Sequence, residues 1–350
     1  MAGAAASPTP PTAIARPPRE RISSWPLADR MFYGLAWLSG IGLCVIALWI
    51  VVFMLIKGIA YLRPALLWTR PAAGSIHQTQ AGGILDPVEG TLLVTAVGTV
   101  IAAPLGIGVA VWLVEYGRPR ALARAVDSGI EMLAGVPSIV LALFGLLFFS
   151  QGVLTFVSQP AASGALGQSF LACGAVMSLI ALPLIFASTR EGLEQVPPRL
   201  REASFALGKT RATTSRYVLL PAIKPSIAAG TVLGMGRIIG DTAIVTLLLG
   251  GAAQLTEPVG HAPVWSVLRG TGSTLTSYIY YNSPSGEGNA HEKAYAASFV
   301  LLLMVLGLNA IVTRLTRDSL DGPRGAGSRI RSMVGRFTPV RDMSGTAGRF

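Results

Sequence analysis

Long uncharged runs dominate the chain, and their lengths set the first expectation. A bilayer core takes roughly 20 apolar residues as one helix. Met31 to Ile56, Gly90 to Val114 and Ala294 to Thr313 each reach that length. Met132 to Thr189 carries no charge at all, too long for one crossing and suited to two. Turn residues fall in its middle: Gln151, Gly152, Gln159, Pro160, Ser163, Gly164 and Gly167. Pro225 to Leu249 is apolar except for Arg237 and Asp241. The pattern predicts an all-α integral membrane protein with six transmembrane helices, at about 31–56, 90–114, 130–150, 168–189, 225–249 and 294–316.

Composition agrees with that picture. Of 350 residues, 51% are hydrophobic and 13% charged, against about 25% charged in a soluble domain. An ordinary soluble enzyme and a disordered chain are both excluded. The net charge of +11 points first to nucleic acid as a partner. Its distribution points elsewhere. Four basic residues precede the first span, three follow the second, seven follow the fourth and eight arginines lie in the tail. These make 22 of the 28 Lys and Arg, all on one side of the six-span layout. Basic loops stay cytoplasmic, so both termini are expected inside and no nucleic acid is needed.

The remaining segments follow. Residues 1–30 are rich in Ala, Pro and Arg and read as a disordered cytoplasmic extension ahead of an uncleaved anchor at 31–56. Residues 57–89 form an outer loop, and 190–224 a cytoplasmic loop within a core of 90–316. The tail, 317–350, reads as flexible, and its arginines suit anionic membrane lipid. Cys44 and Cys173 lie in spans and read as small apolar fillers. His77, His261 and His291 lack ligand spacing, so neither a metal nor a cofactor is expected.

The loop 190–224 carries the most information. Pro197 and Pro198 open it, Gly208 suits a left-handed helix end, and Pro221 closes it. It therefore predicts two short helices with a break, an apolar knob on a basic rim. Ala203 to Thr210 imitates a phosphate-binding P-loop, but Ala stands where Gly is required and no preceding strand is present in the pattern. The same stretch has a better match. Glu202, Ala203, Gly208, Leu220 and Pro221 are similar to the E-A-A, three residues, G, nine residues, I-x-L-P pattern of membrane subunits of ABC importers that use binding proteins. Ser204 and Val218 depart from it.

Further segments narrow the resemblance. Gly82-Gly83-Ile84-Leu85, the stretch Leu133 to Val140, and Gly240-Asp241-Thr242-Ala243 resemble the A-type permease of the phosphate-specific ABC importer over roughly residues 80 to 320. Asp241 stands where that family has Glu, and Ile244 where Pro is common. The resemblance implies a non-catalytic subunit in a bacterial inner membrane, importing inorganic phosphate. It implies a homologous C-type permease, two copies of a cytoplasmic ATPase docked on the loop, and an external phosphate-binding protein. Rival readings are a permease for molybdate, sulfate or phosphonate, or an ion-driven carrier or channel. A carrier or channel would show internal repeats or several intramembrane acids.

Two features of the fifth span bear on mechanism. Arg237 lies about 16 Å into it at 1.5 Å per residue, with Asp241 one turn on. Charges in lipid are costly, so the pair faces the bundle interior or a wet path. It serves the anion's path or is a structural ion pair. Gly230, Gly234, Gly236 and Gly240 repeat at spacings of four and favour close helix packing, within the subunit or against a second permease. The orientation gives a direct test. A tag fused to either terminus should resist protease added to whole cells, and cleavage there would overturn the assigned topology.

Overall fold

The computed structural model describes residues 26–70, 83–151, 156–158, 167–250, 263–284 and 290–320. The N-terminal extension up to residue 25, most of the tail, His77, His261 and Gly82 lie outside the described residues. Every regular element among the described residues is a helix.

The elements run in order as α1 (Leu27–Tyr61), α2 (Pro64–Trp68), α3 (Leu85–Val111), α4 (Arg120–Gly135), α5 (Ser138–Phe149), α6 (Phe170–Glu194) and α7 (Pro198–Ala206). Then come α8 (Arg211–Thr214), α9 (Leu220–Ala222), α10 (Lys224–Gly240), α11 (Ala243–Leu248), α12 (Pro263–Arg269), α13 (Leu275–Asn282) and α14 (His291–Leu320). Two π-helical turns join this set, Trp112–Tyr116 after α3 and Ser215–Leu219 between α8 and α9.

Four unbroken helices are long and apolar enough to cross a membrane: α1, α3 with its π turn, α6 and α14. Two more candidates are bent pairs, α4 with α5 at 106° and the helical run 211–222 with α10 at 71°. Four to six candidate spans result, six only if each bent pair is one span, and the second pair bends at Ile223, ahead of the expected span 225–249. Pro137 caps the start of α5, and with no backbone N–H it does not extend α4. Pro104 and Pro183, by contrast, sit inside continuous helices.

The chain divides into two compact units, residues 1–55 and 56–350. In the first, the described part of α1 is apolar around its circumference, with Trp37, Leu38, Leu43, Leu48 and Trp49 exposed. A helix hydrophobic all round is a membrane span or a buried core helix.

The second unit is built on α3, α6 and α10. Small residues set the contact. A Cβ on Gly98 would come within 2.9 Å of Ile238 Cδ1, and one on Gly106 within 3.1 Å of Ile185. A Cβ on Gly174 would overlap the Val97 side chain. A Cβ on Gly230 would come within 2.8 Å of Ser188 Cβ and 3.2 Å of the Ile185 Cα, and one on Gly234 would press on Ile185 and Ala181. Both glycines therefore pack within the subunit. A Cβ on Gly236 or Gly240 would meet no neighbouring element within 4 Å, so both lie on an open face of the same helix. Cys173 is fully buried in this core, while Cys44 is exposed on α1.

Smaller apolar clusters close each end. Ile84, Leu275, Tyr278 and Ala297 pack at the start of α3. There the backbone of Gly83 crosses close to Leu66 and Thr69, where a Cβ would overlap their carbonyls. Leu193, Val196, Leu219 and Ile223 pack at the far end, under the loop.

The four glycines of α10 thus separate by role. Gly230→Leu would push a side chain into the α6 backbone, and overpacking of this kind costs typically 1–3 kcal/mol. Its melting temperature in detergent should fall clearly, while Gly236→Ala should leave it near the parent. Equal effects of both changes would refute the division.

Candidate functional site

Two regions gather the residues singled out above. The first is the loop between α6 and α10. Its helix α7 starts at Pro198, with Pro197 as N-cap, and ends at Ala206. Gly208 follows with φ +73°, a left-handed conformation in which glycine carries no Cβ penalty. Thr210 then caps α8, accepting the Thr213 N–H at 3.3 Å. The helical run breaks at Ile223, just beyond Pro221. The expected pair of short helices with a left-handed break is what the structure contains.

The exposed residues of this loop form its outer surface. Glu202, Ala203, Phe205 and Gly208 are exposed, and Leu207 is 80% exposed. Tyr217 and Pro221 are exposed as well, while Leu220 is half-buried. Ser204, which departs from the E-A-A pattern, is buried. Its Oγ lies 2.8 Å from the Thr214 Oγ1, so the two hydroxyls staple α7 to α8. Beneath the loop, Arg201 reaches the ends of α3 and α6, a contact no periodicity signalled.

The second region is the break between α10 and α11, inside the expected fifth span 225–249. Helix α10 ends at Gly240, and Asp241 is extended with φ −84° and ψ 120°. A continuous helix across 225–249 does not form. Asp241 still meets Arg237, but loosely: the Arg237 Nη2 to Asp241 Oδ2 distance is 3.8 Å. The carboxylate is 4% exposed and the guanidinium side chain 50% exposed. The other carboxylate oxygen, Oδ1, accepts the Ile244 N–H at 3.1 Å. From one residue ahead of the N-cap Thr242, the Asp241 carboxylate thus caps the first turn of the helix that restarts as α11.

That hydrogen bond joins the two departures noted in the motif. Ile at 244 brings a backbone N–H that Pro would lack, in a fully buried position. A buried N–H needs an acceptor. Asp is among the best capping residues because its short side chain reaches the N–H groups of the next turn.

Arg237 shares its open face of α10 with Leu233, Gly236 and Gly240. Across the bundle, Thr91, Thr95, Thr274 and Thr276 line a small recess with Ile238, Ile239 and Val245. The Thr91 Oγ1 accepts the Leu275 N–H at 2.9 Å, so the recess also ties α13 to α3. Among the described residues, no group of three or more His, Cys, Asp or Glu could hold a metal.

Residues 102–318 match the model of the family described as binding-protein-dependent transport system inner membrane component. The chain belongs to that family. It is 34% identical over 242 residues to the phosphate transport system permease protein PstA 1 of Mycobacterium tuberculosis (strain ATCC 25618 / H37Rv), covering 69% of this chain and 72% of that protein. To the phosphate transport system permease protein PstC of Mesorhizobium japonicum it is 28% identical over 262 residues, covering 71% and 77%. A solved bacterial alginate ABC transporter, in complex with an alginate pentasaccharide-bound periplasmic protein, superposes with TM-score 0.57 at 15% identity. That match covers 83% of this chain and 95% of the other, and it shows a shared fold. The family and the apolar helices make this a multi-pass inner-membrane permease subunit.

The cap can be tested by a double-mutant cycle. Asp241→Ala should lower stability by about 1 kcal/mol, the usual loss for a helix cap. In an Ile244→Pro background, where the N–H is gone, the same change should cost much less. Equal costs in both backgrounds would show that Asp241 does not act through that N–H.

Proposed function

We propose that this chain forms half of the membrane pathway of an ATP-driven importer of inorganic phosphate. The observation that carries the reading is Arg237. Its planar fork suits phosphate oxygens, it is half exposed, and its carboxylate neighbour is 3.8 Å away and already engaged as a helix cap. An anion can therefore take the guanidinium without stripping a tight ion pair. Release is equally accessible, as transport requires. The curated relatives named as phosphate transport permeases support this choice of anion.

Energy enters from outside the chain. Glu202, Ala203, Gly208, Leu220 and Pro221 belong to the loop on which a cytoplasmic ABC ATPase docks. Two ATPase copies serve this subunit and a homologous C-type permease. An external phosphate-binding protein delivers the anion to the opposite face. Both termini lie on the ATPase side, with the basic tail against anionic lipid. Gly236 and Gly240 keep the Arg237 face open, whereas Gly230 and Gly234 hold α10 on α6.

The test is reconstitution of the full complex in vesicles with its binding protein and ATP. Phosphate uptake should exceed molybdate and sulfate uptake by at least about ten-fold, a difference of about 1.4 kcal/mol. Arg237→Gln should abolish uptake with the complex still assembled. Gly208→Val, strained by its positive φ, should leave ATP hydrolysis but uncouple it from uptake. Preferred uptake of another oxyanion would reassign the substrate, and full uptake by the Arg237 variant would leave that residue a structural role.

A further inference from the structure

The cytoplasmic end of the bundle contains a junction that neither the motif nor the family assignment describes. Arg201, on α7, uses each of its three nitrogens. Its Nε donates to the Glu115 Oε1 at 3.0 Å, its Nη1 to the Val196 carbonyl at 3.0 Å and its Nη2 to the Leu193 carbonyl at 2.9 Å. Glu115 lies in the π turn Trp112–Tyr116 that ends α3. Leu193 is in the last turn of α6 and Val196 lies just beyond its end at Glu194. One side chain therefore ties the docking loop to the ends of both long helices.

A second link reinforces the first. Arg211, on α8 beyond Gly208, donates its Nη1 to the Glu115 backbone carbonyl at 3.0 Å. Glu115 thus receives one arginine from each short helix of the loop. The pair is sheltered, with the Glu115 side chain 8% and the Arg201 side chain 21% exposed. The apolar cluster of Leu193, Val196, Leu219 and Ile223 lies beside it and packs on Val111 and Val114 of the same π-turn region. A charge-assisted, fork-shaped contact in such a setting is geometrically restrictive. Loss of one partner would leave the other charge poorly compensated.

We infer that Arg201 and Glu115 form a rigid strut that carries motion of the docking loop directly into α3 and α6. This rests on the proposed role of the loop as the ATPase contact. The functional consequence is specific. Helices α3 and α6 pack closely on α10, the helix that presents Arg237. A push on the loop then reaches the anion path as a rigid-body movement, without being absorbed by bending of the loop. Arg201 and Glu115 are positioning residues: neither touches the anion or ATP.

The experiment uses the assembled complex in nanodiscs, with Cys44→Ser and Cys173→Ala as background. Spin labels at Tyr116→Cys and Lys209→Cys report the distance from the end of α3 to the docking surface. The strut predicts one narrow distance, the same without nucleotide and with ATP trapped on the ATPase. A distance that changes between those states overturns it, since the loop would then swing on α3. In Glu115→Ala the distribution should broaden in both states. Uptake per ATP hydrolysed should fall by about ten-fold or more while hydrolysis continues. Unchanged uptake per ATP in that variant also overturns the strut. Where Glu115→Ala does not assemble, the two-state distance in the parent decides. The two readings separate cleanly, because a parent complex without ATP-driven phosphate uptake refutes the proposed function while the distance still judges the strut.

Discussion

Close packing of side chains onto glycine backbone among α3, α6 and α10 is the constraint on which the rest of the molecule depends. In a bilayer no hydrophobic force draws apolar helices together, so association relies on close packing and hydrogen bonds. Gly98, Gly106, Gly174, Gly230 and Gly234 supply the absence of side chain that this requires. Ile185 and Ile238 fill the space those glycines leave. Because the fit is steric, the three helices resist sliding separately. A movement applied to the end of one is passed to the others.

The same packing explains where the chain can be irregular. Unsatisfied backbone groups in hydrocarbon cost several kcal/mol each, so helix breaks occur only where protein surrounds them. The break at Asp241 is enclosed in this way: Asp241, Ile244, Val245 and Leu248 are all buried. The freed N–H of Ile244 is satisfied by the Asp241 carboxylate. The break in turn allows α11 to leave the line of α10 and pack on α5, where Gly145 meets Leu248 and Val176. A capped interruption, and not a continuous helix, therefore holds Arg237 at the edge of an open face.

Much of this was legible in the residue pattern, and what was missed has a physical reason. Uncharged run length follows bilayer thickness, so the four long apolar helices α1, α3, α6 and α14 were evident as runs in the sequence. The loop was legible because Pro197, Pro198 and Gly208 act on their own backbone angles and need no distant partner. The breaks were less so. Pro137 stands at one, yet Pro104 and Pro183 lie inside unbroken helices, and only tertiary surroundings separate these outcomes. The glycines of α10 share one spacing but face a neighbouring helix in two cases and open space in two. The contact between Glu115 and Arg201 spans 86 positions and has no local signature. A lone acid at the end of the apolar run Gly90 to Val114 was its one available sign.

Arginine illustrates why residue type alone does not assign a role here. Arg201 and Arg237 carry the same fork, and each has a carboxylate neighbour. In Arg201 all three nitrogens donate to fixed acceptors between 2.9 and 3.0 Å, and the side chain is 21% exposed. A group so engaged has nothing to offer a passing anion and a strong resistance to displacement, which suits force transmission. Arg237 makes one ion contact at 3.8 Å with half its surface open, and its carboxylate neighbour is held elsewhere by a backbone N–H. That state is the one the proposed passage of an oxyanion requires. The difference is not in charge, which is identical, but in how many donors the fold has already used. On that criterion Arg237, and not Arg201, has donors left for the anion of the proposed pathway.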